Sequence, residues 1–448
     1  MLMMWSKASE LARQTPPERN RYVDFLRAMS IIAVVVGHWL VAAPYIDSAG
    51  SVRGGHLLGI LPWSQWLTWG FQVMPIFFLV GGYSNGASWE AQQRKGGRYS
   101  DWFAGRIQRL INPVFPPLLA WALFAFAATQ LGMERDNVRM ATLLALIPVW
   151  FLAVYLLVTA LAPITYAAWN RWGFRSFFLL VVAAILVDRL GIFEGVPHVR
   201  FLNFLFVWVA IHQLGYAWRA GAFRGIGHKL FWIAASFACL LFLTILGPYP
   251  VAMIGVPGAE ITNSMPPTIA LLALGMTQTG IVVALEPAGR RMLQSLGIWT
   301  ATVLMNGMIM TVYLWHLTAF VLVVVAAWLL GGIGLETYPG TADWWLARPV
   351  WFALYVAALL PFIAIFGRYE RTFGPVRDGR EVPHLRLVSG LLLICLGLAM
   401  TAALSIASPE GVSGVRLWVV ALPFVGAALV GFGPLYRWIK RPRTGSRA

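Results

Sequence analysis

Apolar runs of about 20 residues, separated by short polar segments, fill the chain from residue 23 onward. A helix rises 1.5 Å per residue, so about 20 residues cross ~30 Å of hydrocarbon. The hydrocarbon offers no water to an unpaired backbone group, which leaves the helix as the form each run takes. Twelve candidate spans follow, at 23–44, 66–85, 111–131, 141–167, 175–193, 200–218, 230–247, 267–285, 301–330, 347–367, 387–407 and 415–436. The expected fold is all-α, a polytopic transmembrane helix bundle of about 10–12 spans.

The polar segments are too short for a soluble domain, and no internal repeat is visible. Three regions are expected: a cytoplasmic N-terminal tail at 1–22, a membrane domain at 23–370, and two additional transmembrane helices with a basic tail at 371–448. The chemistry must then come from membrane-embedded residues and short loops.

Composition agrees, with 59% hydrophobic and 12% charged residues and a mean hydropathy of +0.70. A net charge of +16 would suit nucleic acid if it formed one patch. Here the cations fall between apolar runs, so the lipid bilayer is the expected partner and nucleic acid is not. With the N-terminus inside, the cytoplasmic segments hold 26 Lys and Arg, the outer loops 7, and Arg27 in the first span completes the 34. This bias predicts both termini cytoplasmic and an even number of crossings. An inner (plasma) membrane is the expected location. The first run also carries Asp24, Arg27 and His38, which a cleaved signal peptide would not. Cys239 and Cys395 read as small buried hydrophobes.

Arg27 and His38 are eleven residues apart in the first span. At ~100° per residue they face the same way, ~16 Å apart along the axis. Asp24, three residues before Arg27, is placed to pair with it. Alone, Arg27 reads as an interfacial arginine that snorkels, and His38 as a histidine bonded to a backbone carbonyl. Together they read as two ends of one elongated site, with histidine suited to act as a base near neutral pH.

Arg106 and Arg109 follow Arg94, Lys95 and Arg98 and share a helix face. Guanidinium groups so placed suit bidentate phosphate binding, or anchoring against anionic headgroups. Pro75 is expected to kink the second span, and Gly81 and Gly82 to permit close helix approach. In the ninth span Asn306, Tyr313 and His316 form a polar strip, and His212 reads as structural. The seven histidines are all at least fourteen residues apart, which offers no metal site.

The chain resembles the acyltransferase 3 family of integral membrane acyltransferases, which O-acylate carbohydrates and other cell-surface molecules. The resemblance rests on Arg27 and His38 with ten residues between, Arg106-x-x-Arg109, the Pro75 to Tyr83 stretch, Trp150-Phe151-Leu152 and Tyr313-Leu-Trp-His316. It covers about residues 20–370, so the last two spans read as an addition to the roughly ten that members have. The soluble esterase-like domain of some members has no counterpart in the sequence.

The resemblance implies transfer of an acyl group, acetyl foremost, from cytoplasmic acyl-CoA to a hydroxyl of a cell-envelope carbohydrate or glycolipid. Acyl-CoA is then a co-substrate, with no bound cofactor. By the same analogy His38 is the base or transient acyl carrier, and Arg27 orients the site. Arg106 and Arg109 serve the coenzyme phosphates, and Asp24, Tyr83, Trp150, Tyr313 and His316 are supporting or substrate-facing. The competing reading is a transporter or flippase that binds an anionic substrate through the same Arg and His.

Overall fold

A computed structural model describes residues 2–371 and 382–440. Most of the basic segment expected at 368–386, and the tail at 441–448, lie outside the described residues.

Helix α1 (Leu2–Arg13) precedes α2 (Arg21–Val41). The Asn20 side chain caps α2 by accepting from the backbone N–H groups of Tyr22 and Val23. Pro44 lies just past its end, where a helix cannot continue. Next come the strands β1 (Tyr45–Ile46) and β2 (Val52–Arg53), which pair antiparallel, and the short helices α3 (Leu57–Ile60) and α4 (Thr68–Phe71). The chain continues through α5 (Met74–Arg94), α6 (Tyr99–Ile111), α7 (Phe115–Gln130), α8 (Arg135–Leu146), α9 (Val149–Ala160), α10 (Ala162–Trp172), α11 (Phe174–Asp188) and α12 (Asn203–Arg219). It then forms α13 (Gly225–Leu241), α14 (Ile269–Met292), α15 (Leu296–Asn306), α16 (Ile309–Leu329) and α17 (Ala342–Arg371). The helices α18 (His384–Leu404), α19 (Leu417–Val430) and α20 (Gly433–Ile439) end it.

Among the described residues, nine helices are long and apolar enough to cross a membrane, and two bent pairs, α8 with α9 and α19 with α20, raise this to eleven. The protein is an all-α, multi-pass membrane bundle.

Several boundaries differ from the sequence expectation. The second expected span, 66–85, is broken at Gln72–Val73, and its long helix is α5. Pro75 is the second residue of α5 and starts the helix, where its missing N–H costs nothing, instead of kinking it. The polar stretch 86–110 is mostly helical, and α6 joins α7 in one candidate span. The ninth expected span breaks at Gly307, which divides Asn306 on α15 from Tyr313 and His316 on α16. The expected N-terminal tail contains α1, which packs against α15, with Trp299 Nε1 donating to Thr15 Oγ1 at 2.9 Å.

The chain divides into two compact units. The first comprises Met1–Glu90, Leu161–Ile309 and Val324–Leu354. Within it α5 crosses α12 at Gly82 and Gly215 without room for a side chain: a Cβ on Gly82 would lie 2.8 Å from the His212 carbonyl carbon and closer still to its oxygen. His212 is fully buried and meets Asn85 at 3.1 Å. Tyr22 of α2 packs on Gly289 of α14 and donates to the Val282 carbonyl at 3.1 Å. Pro287 inside α14 removes the N–H that would meet the Val283 carbonyl, and Lys229 Nζ donates to that oxygen instead, at 3.2 Å.

The second unit comprises Ala91–Ala160, Met310–Val323 and Tyr355–Ala448. Here α18 packs on α19 and α9, and a Cβ on either Gly390 or Gly426 would sit 2.6 Å from the other's carbonyl oxygen. Such small-residue contacts let membrane helices approach to backbone distance. Cys395 is buried, with Sγ 3.4 Å from the Ala153 oxygen. Cys239, in the first unit, is exposed on the apolar helix α13, contrary to the buried reading. The Glu370 carboxylate accepts from the Met310 and Thr311 N–H groups at 2.9 and 3.1 Å, which caps the start of α16.

Candidate active site

The first turns of α2 lie in a polar cluster built from four elements of the first unit. Besides capping α2, Asn20 donates through Nδ2 to the Tyr83 hydroxyl at 3.1 Å and to Glu286 Oε1 at 3.3 Å. Glu286 also accepts from Trp218 Nε1 at 2.7 Å and pairs with Arg290 at 2.7 Å. Tyr83 and Trp218 pack ring on ring, 4.9 Å between centroids. The residue that starts the helix thus ties α2 to α5 and α14.

One turn further on, Asp24 is 6% exposed and carries the charge expected to pair with Arg27. Its Oδ1 accepts from Arg27 Nη1 at 2.9 Å and its Oδ2 from Arg19 Nε at 2.6 Å. Its backbone carbonyl accepts from Asn306 Nδ2 at 2.9 Å. Two cations share one carboxylate, so a net positive charge remains.

Arg27 donates a second bond, from Nη2 to Ser84 Oγ of α5, at 2.8 Å. The guanidinium is therefore gripped at two nitrogens by two different helices. Of its five N–H donors, two are used, and the side chain remains 28% exposed. The ion pair orients Arg27 without consuming it.

His38 lies three turns along the same unbroken helix, on the same face, and is half-buried. Val34 lies between them on that face and is also half-buried. A Cβ added to Gly37 would meet nothing within 4 Å, whereas Trp39 is buried against Phe352. Past His38 the helix end is closed by the Ala42 to His56 bridge and by a core of Ala43, Leu57 and Trp344. Arg348 stacks on Trp344 and Trp351, its guanidinium 4.1 and 5.4 Å from the two ring centroids.

The other sequence candidates belong to the second unit. Arg106 is half-buried on α6 with its guanidinium 5.4 Å from the Trp102 ring, and Arg109 is exposed one turn on. Trp150 is half-buried on α9. Tyr313 donates to the Pro148 carbonyl at 2.7 Å, and His316, fully buried, has Nδ1 2.7 Å from the Tyr313 carbonyl. A carbonyl only accepts, so Nδ1 carries the hydrogen. Asn306, expected beside Tyr313, serves Asp24 in the first unit instead.

Four members of the cluster escaped the sequence reading. Asn20 carried a usable signal, an Asn directly before a helix. Glu286 stands one residue past the expected end of the eighth span, yet α14 continues through Pro287 to Met292. Ser84 and Trp218 carried none, because their importance arises only from what they touch. Among the described residues no group of three or more His, Cys, Asp or Glu converges to hold a metal.

An apolar multi-pass bundle whose first long helix carries an ion-paired arginine and a histidine on one face suits a membrane enzyme or a carrier of anionic groups. The comparison with known families decides between them: the acyltransferase 3 model, described as an acyltransferase domain, matches residues 20–368. The chain belongs to that family and is a membrane acyltransferase that transfers groups other than aminoacyl groups. The match starts at Asn20 and leaves α1 and α18 to α20 outside it. No curated protein and no solved structure matches the chain in the comparisons made with them.

Proposed function

We propose that the protein moves an acyl group, acetyl in the simplest case, from cytoplasmic acyl-CoA to a hydroxyl of a cell-envelope carbohydrate or glycolipid. The observation that carries this reading is the placement of Arg27 and His38 on one face of α2, with Arg27 oriented by Asp24 and Ser84 and still holding open donors. The bias of 26 to 7 in Lys and Arg supports cytoplasmic termini in an inner membrane, and hence a donor that enters from the Asn20 end.

In the reaction His38 takes the proton from the acceptor hydroxyl as its oxygen attacks the thioester carbonyl. The new ester C–O bond forms, the C–S bond breaks, and the coenzyme thiolate leaves and recovers the proton. Alternatively His38 carries the acyl group transiently on its ring nitrogen. Arg27 orients the site; Arg106 and Arg109 offer guanidinium groups suited to phosphate oxygens. Asp24 holds Arg27, and Tyr83 supports the start of α2. Trp150, Tyr313 and His316 support the fold around the second set of family segments.

The test is transfer from labelled acetyl-CoA in membrane vesicles, wild type against His38→Ala, with label followed into glycan and lipid. Coenzyme release that depends on His38 supports the reading. If His38→Ala turns over normally, the assignment falls. Label-free movement of an intact anion would instead favour a carrier.

A further inference from the structure

We propose that the segment of α2 from Arg27 to His38 measures the arm of the acyl donor: Arg27 holds the phosphate at the arm's far end while the thioester lies against His38. This rests on the reading of the donor as a coenzyme A thioester. Eleven residues of unbroken helix separate the two side chains, which gives ~16 Å along the axis. Both side chains lean toward the helix N-terminus, so their heads keep roughly the backbone separation. An extended chain advances ~1.2 Å per bond, and about thirteen bonds join a pantetheine sulfur to its phosphorus, which is ~16 Å. The two lengths agree.

The ends carry the right chemistry. Arg27 is gripped at two nitrogens yet keeps three of its five donors, in the planar form that suits phosphate oxygens. Asp24 offsets only one of its two arginines, Arg19 and Arg27, so a cation is left for an anion. Between the ends the shared face carries Ile31, buried, and Val34, half-buried, and Gly37 leaves open space beside His38. That stripe suits an uncharged arm with no fixed charge of its own. A phosphate held at Arg27 would place the acyl carbon some three helical turns further along α2, far from the end where the donor enters.

The experiment compares acetyl-4′-phosphopantetheine with acetyl-pantetheine, which differ only in the phosphate, on wild type, Arg27→Ala, and Arg27→Ala with Asp24→Asn. In the single variant Asp24 keeps Arg19 as its partner, and the double variant removes the carboxylate too, so the pair tests loss of Arg27 with and without that anion. Wild type should prefer the phosphorylated donor by ~100-fold in kcat/KM, the scale of a charge-assisted pair. Loss of Arg27 should cut that preference to within ~5-fold. If Arg27→Ala lowers both donors by one common factor, Arg27 acts at the reacting end and the proposal is wrong. Equal use of both donors by wild type overturns it as well. A wild type that turns over no thioester of any length defeats the donor reading, and the measuring role with it.

Discussion

Replacing Gly82 with alanine tests how the packing of α5 controls the site. The added methyl would meet the His212 carbonyl, with its carbon 2.8 Å away, and the Gly215 Cα at 3.2 Å. Both are backbone atoms of α12, which cannot rotate aside as a side chain would. The helices must separate by roughly 1 Å, and overpacking of this kind costs ~1–3 kcal/mol. Alanine regains up to ~1 kcal/mol in helix propensity, so a net loss of ~1 kcal/mol is expected. Ser84 lies two residues further on, so the same displacement stretches its 2.8 Å bond to Arg27. The melting midpoint in detergent should fall by several degrees, and acyl transfer should fall by more than the lost folded fraction. Gly105→Ala, at an exposed position of α6 where an added Cβ meets nothing within 4 Å, is the control and should be neutral or stabilising. Identical melting and turnover in the two variants would refute the argument.

Ser84→Thr and Ser84→Val are nearly isosteric and differ in the hydroxyl that Arg27 meets. Because Arg27 is partly exposed, the bond is discounted to ~1 kcal/mol, so Val should lose ~5-fold in kcat/KM relative to Thr; equal rates would remove Ser84 from the site. Lys229→Ala should destabilise by ~1 kcal/mol in wild type but by little in a Pro287→Ala background, where the Val283 carbonyl regains its helical N–H. A cycle with no coupling in thermal melts would count against that bond. In the turn between β1 and β2, the Ser51 N–H and the Arg53 guanidinium hold the Asp47 carboxyl below its ordinary 3.8. Its contribution is therefore complete above that value and lost as pH falls below it, so the protection of amides 49–51, each rate taken against the intrinsic rate at the same pH, should fall on acidification in wild type and not in Asp47→Asn.

Much of the fold was legible because apolar length is a strong signal. The first span, expected at 23–44 and found as the helix 21–41, the Arg27 and His38 register and the Asp24 pairing could all be read from spacing alone. The break at Gly307 is marked only by the Asn306-Gly307 pair inside an otherwise apolar run, and the cap on the new helix start comes from Glu370, sixty positions away. The start of α5 was misplaced because hydropathy does not register that Pro75 prefers a first turn. The Arg27 to Ser84 bond spans 57 positions and the Asn20 to Glu286 bond 266, distances at which a single sequence carries no pairing information.

The arrangement around Asp24 also bears on how the protein enters the bilayer in the first place. A lone arginine raises the cost of inserting a helix by ~2.5–3.5 kcal/mol at its centre. Arg27 has its counter-charge three residues away on the same segment, so α2 carries its own neutralisation as it leaves the translocation machinery, before α5 exists to offer Ser84. Glu286 is matched the same way by Arg290, one turn on, before it meets Asn20 and Trp218. Local pairs make each segment insertable during synthesis, and the long-range bonds then convert two tolerated charges into an ordered site.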